Sequence, residues 1–173
     1  MFNQTNINLG KERSVIREIF EYANARKKEI GAENVFDFSL GNPSVPAPEC
    51  VRKEIGNLIS NTSPETLHGY TSAAGAPEVR AAVADYIAKS FGVPMRPELV
   101  YMTCGAAASL TATLNALCNA GDEVIVIAPY FPEYRVFIEA AGATVVTVRA
   151  DENFHIDLEA ISRAVGENTK AII

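Results

Sequence analysis

The stretch "VYMTCGAAASLTATLNAL", Val100 to Leu117, sets an apolar run ending at Thr103 against an alanine-rich run that begins after Gly105. Only small side chains lie between the two, and the stretch carries no charge. It predicts a strand, "ELVYMT", a tight turn at Thr103–Ala106, and a helix from Ala107 to Asn119 stopped by Gly121. Such a turn leaves backbone N–H groups unpaired at a helix N-terminus, where the macrodipole carries roughly half a positive charge. Small residues let an anion come close to those donors, so a phosphate could bind without a basic side chain. On its own the stretch reads first as a close-packed strand-to-helix turn that binds nothing. No Gly-Lys-Ser/Thr follows it, and it lacks the G-x-G-x-x-G dinucleotide pattern.

Downstream the alternation is regular. "EVIVIA", 123–128, is a continuous apolar run, as in a strand buried on both faces. A helix over Pro132–Ala141, the strand "ATVVTVRA", a helix "LEAISRAVG" capped by Asp157, and the strand "KAII" follow. Strands alternating with helices indicate an α/β fold, a mainly parallel sheet wrapped by helices. After "KAII" no helix follows, so that strand is expected to be uncovered or a bare edge, and the chain looks cut off.

Upstream, Val15, Ile16, Ile19, Phe20 and Ala23 form one stripe of an amphipathic helix near residues 11–30. The run Arg26-Lys27-Lys28-Glu29 reads as its solvated face. "NVFDFSL" alternates and predicts a strand over Val35–Leu40. "GNPSVPAP", Gly41 to Pro48, is the clearest break and a boundary between segments 1–46 and 47–173. Pro48 then opens a helix carrying Val51, Ile55, Leu58 and Ile59. "SNTSPETLHGYTSAAG" is a long irregular stretch of the kind that carries function. Pro77 opens another helix, with Val79, Val83, Tyr86, Ile87 and Phe91 on its buried face.

The chain has 173 residues, enough for one sizeable core; apolar residues make up 48 % and charged residues 21 %, and the net charge is −6. That balance argues against a nucleic-acid surface or a polybasic membrane patch, and no run approaches a membrane span. Cys50, Cys104 and Cys118 are odd in number and widely spaced, which predicts free thiols in the cytoplasm. His68 and His155 lie far apart with no partner at metal-ligand spacing, so no metal site is expected. Asp122 and Glu123 read as a helix end and a strand entry, since adjacent strand carboxylates point to opposite faces.

Two further features bear on the turn. Tyr70 and Gly75 precede the helix that contains Val79-Arg80, and the buried strand 123–128 ends in Pro129-Tyr130-Phe131. Ligands of open α/β sheets bind beyond the carboxyl ends of strands, and an aromatic there can stack on a planar ring. Read alone, Tyr130, Phe131 and Tyr134 would simply pack a helix on the sheet. Taken in order, Gly41-x-Pro43, Tyr70-x4-Gly75-x3-Val79-Arg80, Thr103-x-Gly105-Ala106, Gly121-Asp122-Glu123-Val124 and Pro129-x-Phe131-x-x-Tyr134 resemble the large domain of class I/II aminotransferases. These are fold type I enzymes that use pyridoxal 5′-phosphate, and the resemblance runs from about Phe36 to Ile173.

The resemblance implies roles residue by residue. Gly105, Ala106 and Ala107 would offer backbone amides to the cofactor phosphate, with no side-chain donor on the turn. Phe131, with Tyr130 as the second candidate, would stack on the pyridine ring. Tyr70 would reach the phosphate of a neighbouring subunit, which implies a homodimer with shared sites. Gly41 would lie beside the substrate carboxylate. The implied activity moves an amino group from an amino acid to a 2-oxo acid, and segment 1–46 would be an arm or small-domain piece.

The implied Schiff-base lysine is missing. Lys11, Lys27, Lys28, Lys53, Lys89 and Lys170 include none in a Ser-x-x-Lys setting. The chain is therefore expected to be an N-terminal fragment, inactive by itself. A carbon–sulfur lyase or decarboxylase of the same fold stays open. So does a non-catalytic module, as in regulators that fuse this fold to a DNA-binding domain, although no basic segment precedes Phe36. A Rossmann-like nucleotide binder would need a glycine-rich loop after its first strand, where "FSLGNPSVPAP" continues through prolines.

Overall fold

A computed structural model describes residues 2–11, 14–41 and 43–173. Glu12 and Arg13, in the first expected helix, and Asn42 of the Gly-x-Pro segment lie outside the described residues. The chain divides into two compact units, Met1–Gly69 and Tyr70–Ile173.

The first unit is helical: α1 (Gln4–Lys11), α2 (Val15–Ile30), α3 (Glu49–Asn61) and the single turn α4 (Pro64–Leu67). Helix α1 had no counterpart among the sequence expectations. Of the α2 stripe, Ala23 is buried while Val15 and Ile19 are exposed. Val51, Ile55, Leu58 and Ile59 of α3 are exposed as well. Pro48 stands at the N-cap of α3, one residue before the helix.

The strand expected over Val35–Leu40 is not formed. The Asp37 carboxylate accepts the Ser39 N–H at 3.0 Å and the Ser39 hydroxyl at 2.6 Å, a local turn that competes with ladder pairing. Phe36 and Phe38 are both exposed. Lys27 does not stand on a purely solvated face: its ammonium meets Asp37 at 2.7 Å, and both side chains are largely covered. Arg26 pairs with Glu29 at 2.7 Å.

The second unit holds α5 (Pro77–Phe91), α6 (Ala106–Leu117), β1 (Glu123–Ala128), α7 (Glu133–Ala140), β2 (Thr144–Arg149), α8 (Leu158–Ala164) and β3 (Thr169–Ile172). The sheet is wholly parallel in the order β2-β1-β3, as the alternation of strands and helices predicts. Val124 pairs with Val145 and Ala171, and Ile125 with Val146 and Ile172. Val124, Ile125 and Val126 are fully buried. Val124 and Val126 share a core with Leu114 of α6, Cys118 and Ile138 of α7, which lines one face of the sheet. Helix α8 packs against β2. Asp157 caps α8, its carboxylate accepting the Ala160 N–H at 2.8 Å.

Three other expectations change here. "ELVYMT" forms no strand: Pro97–Leu99 is a 3-10 turn, and the chain beyond is extended but unpaired in the sheet. Its carbonyls are taken by Arg80, whose guanidinium donates to Val100 O at 2.8 Å and Pro97 O at 2.7 Å, while Met102 N–H donates to Ala74 O at 3.0 Å. On α5 only Ala84 is buried; Val79, Tyr86 and Phe91 are exposed, the last two meeting edge to face at 6.3 Å. Helix α6 ends at Leu117 on a Cys118 N–H···Leu114 O bond, so Gly121 (φ 93°) belongs to the next turn and does not stop the helix. Asp122 closes that turn by accepting the Asn119 N–H at 2.7 Å.

Two stability tests follow from this packing. Ile138 is wholly buried, so Ile138→Ala should lower the unfolding free energy by about 2–5 kcal/mol in urea titrations. The Lys27 hydrogen bond first, then the Ser39 hydroxyl and N–H, hold the Asp37 carboxyl at about 2. A depressed carboxyl adds stability above its unfolded value near ~4, lost as pH falls through the folded one. The stability gap between wild type and Asp37→Asn should be constant above about pH 5 and shrink between about pH 4 and 2. A gap that ignores pH would remove the ion pair as its source.

Candidate functional site

Helix α6 begins where a glycine is required. Gly105, its N-cap, has φ 90° and ψ 171°, a region that is essentially glycine-only. A Cβ built there would meet nothing within 4 Å, so the constraint is the backbone conformation and the space beside the turn is open. No side chain caps the helix, and its first turn has no acidic residue. Among the described residues the amides of Ala106, Ala107 and Ala108 find no partner; the first helical bond is Ser109 N–H to Gly105 O at 3.3 Å. Three orphan donors at a helix N-terminus with open space alongside suit an oxyanion.

The turn faces the same end of the sheet as the last residues of β1. Five residues join α6 to the amino end of β1, and Leu114 shares the core with Val124 and Val126. Helix α6 is about 18 Å long and β1 about 20 Å, so the helix runs back along the strand and its N-terminus reaches the carboxyl end. There the chain passes through the cis Ala128–Pro129 peptide into Tyr130 and Phe131. The two rings differ. Tyr130 lies against the core and stacks on Tyr134 at 6.5 Å, whereas Phe131 is 48 % exposed and meets Tyr134 edge-on at 5.7 Å. Phe131 leads into α7, the helix that packs on α6. β1 has β2 on one side and β3 on the other, so the strand order reverses at this point, where open α/β sheets take ligands.

Tyr70, at the head of the second unit, is fully exposed. Gly41 belongs to the first unit, with open space around a notional Cβ. His155 is exposed beside Asp151, and His68 caps α4. Lys27, Lys89 and Lys170 stand beside Asp37, Asp85 and Asp122. Cys50 and Cys104 are exposed and Cys118 is buried, all as free thiols. Among the described residues no helix is long and apolar enough to cross a membrane.

Two features of the turn escaped the sequence reading. Thr103 and Ser109 place their hydroxyl oxygens 2.5 Å apart across it, and Thr103 also reaches Gly105 O at 3.1 Å. Gly75 (φ 102°) lies against Met102 so closely that a Cβ would stand 2.6 Å from Cγ, which seats the segment before the turn on the head of α5. A serine four residues beyond a turn glycine is the signal for the first; the second needs the fold.

The sequence profile of the family described as aminotransferase class I and II matches residues 33–173. An aspartate aminotransferase of Streptomyces avermitilis is 32 % identical over 153 residues, covering 87 % of this chain and 37 % of its own length. An aspartate aminotransferase of Pyrococcus horikoshii is 32 % identical over 164 residues, covering 94 % and 39 %. Among solved structures, an amino transferase from Eubacterium rectale is 47 % identical, with a TM-score of 0.92 over 99 % of this chain and 44 % of its own. An aspartate aminotransferase from Thermotoga maritima is 31 % identical, with a TM-score of 0.78 over 93 % and 42 %. The chain thus spans about two-fifths of the length of the proteins it matches.

The glycine requirement is open to test. Gly105→Val forces a β-branched residue into a conformation costing about 1–3 kcal/mol, so the turn should refold around it. The amide resonances of Ala106–Ala108 should shift, and inorganic phosphate should bind several-fold more weakly in an NMR titration. Unmoved resonances with unchanged phosphate affinity would remove Gly105 from the site.

Proposed function

The chain belongs to the class I and II aminotransferase family, and on that premise we propose that it carries the cofactor-holding part of a pyridoxal 5′-phosphate enzyme that transfers an amino group from an amino acid to a 2-oxo acid. The observation that carries the reading is the first turn of α6, with three unpartnered amides and no acidic or capping side chain. A dianionic phosphate fits such a turn, and nothing on it would repel the charge.

The chain's own residues then divide the work. The Gly105–Ala107 backbone holds the phosphate. Phe131, its ring half free, would be the residue that stacks on the cofactor ring; Tyr130, already packed in the core, is the poorer candidate. When bound, the cofactor supplies an electron-withdrawing ring that takes up charge as a bond to the substrate α-carbon breaks. Tyr70, fully exposed and so free to meet a second copy, would reach the phosphate held by that copy, in a homodimer with shared sites. The Gly41 backbone lies beside the substrate carboxylate. Residues 1–46 serve as an arm or small-domain segment and 47–173 as part of the cofactor domain. The free thiols fit a reducing compartment such as the cytoplasm.

The amine that joins the cofactor and moves the α-proton comes from outside residues 1–173, since no lysine here has the Ser-x-x-Lys setting. The intact protein containing this chain should therefore bind pyridoxal 5′-phosphate and form a 2-oxo acid from an amino acid, followed by coupled assay. Residues 1–173 alone should show no turnover. Turnover by residues 1–173, or an intact protein that ignores the cofactor, would overturn the reading.

A further inference from the structure

We propose that the Thr103 and Ser109 hydroxyls form a clasp that aims the Ala106 amide at the bound phosphate; the inference rests on the phosphate reading above. Proton bookkeeping fixes the direction of the clasp. The Gly105 carbonyl can only accept, so the Thr103 hydroxyl donates to it at 3.1 Å. Thr103 has a single hydroxyl proton, so its 2.5 Å contact with Ser109 runs from the Ser109 hydroxyl to Thr103 Oγ1. Both hydroxyl protons are committed inside the protein, and neither is left for an anion.

The clasp acts on one peptide plane. Gly105 O accepts the Ser109 N–H at 3.3 Å as well as the Thr103 hydroxyl, so two donors converge on one carbonyl. The Gly105–Ala106 peptide is planar and trans, with its C=O and N–H pointing in opposite directions. Holding the carbonyl against the helix therefore turns the Ala106 N–H outward, to the open side of the turn. Without these bonds Gly105, having no Cβ, could let that plane rotate. Thr103 and Ser109 are thus positioning residues: they restrict the freedom that Gly105 brings.

The test compares two probes that need no lysine linkage, pyridoxamine 5′-phosphate and pyridoxamine, by calorimetric titration of the intact protein containing this chain. Wild type should prefer the phosphorylated probe. Thr103→Val, which keeps the shape and removes the hydroxyl, should weaken that probe about two- to tenfold, the worth of one hydrogen bond, and leave pyridoxamine unchanged. Ser109→Ala should act in the same direction and less, because the Thr103–Gly105 bond remains. Thr103→Ser should restore the wild-type preference, which a general loss of packing would not allow. A Thr103→Val protein with the wild-type preference, or one that loses both probes equally, overturns the clasp while leaving the phosphate site intact. A wild-type protein with no preference for the phosphorylated probe overturns the phosphate reading and the clasp together.

Discussion

The burial of β1 on both faces is the constraint on which the second unit depends. Val124 and Val126 point to one side and Ile125 to the other, and none is accessible to water. Fully burying such side chains contributes about 1.5–3 kcal/mol each, which holds only if cover is present on both sides. Leu114 of α6 and Ile138 of α7 supply it on one face. The parallel order also requires a helix between successive strands, so every carboxyl end falls at the same end of the sheet. Covering β1 with the helix that precedes it brings the N-terminus of that helix to the same end. The turn at the head of α6 and the residues that follow β1 thus fall at the same end of the sheet for a reason that has nothing to do with ligand or catalysis.

The same constraint separates what was legible in the sequence from what was not. "EVIVIA" is a run without alternation, and such a run has few stable homes other than a doubly covered strand. "NVFDFSL" alternates and "ELVYMT" is an apolar run in its own right, yet neither pairs. An apolar pattern states which residues want cover; it says nothing of whether a neighbour strand is there to accept the backbone. In both cases other groups take up the backbone: the Asp37 carboxylate in the first, the Arg80 guanidinium in the second. The helix stripes failed in a related way. A 3.6-residue period located α5, but Val79, Tyr86 and Phe91 meet no covering layer within the described residues.

The site was legible to the extent that it is made of backbone. Small residues at 104–107, after an apolar segment and before an alanine-rich helix, are enough to infer open amides, because amide geometry follows from helix geometry. Side-chain contributions were not legible. The turn itself lacks a side-chain donor, as the two alanines imply, but the hydroxyls that brace it come from residues 103 and 109. They meet across a turn whose glycine has a positive φ, a pairing that the spacing of 103 and 109 does not announce. Likewise, Tyr130 and Phe131 are adjacent aromatics with no difference in sequence character. Only the packing of α7 tells them apart, with one ring in the core and the other half exposed.

An anion site built from amides differs in kind from one built on lysine or arginine. A cationic side chain attracts phosphate over several ångströms and tolerates small errors in placement. An amide dipole is short-ranged and directional, and its contribution falls steeply once the N–H···O angle bends. A turn of this type must therefore depend on anything that sets the orientation of its peptide planes. In this chain that means a glycine in a conformation closed to other residues and a carbonyl held by two donors. On the proposed reading rigidity takes the place of charge, and a chain with a net charge of −6 needs no cation in the turn to receive a dianion.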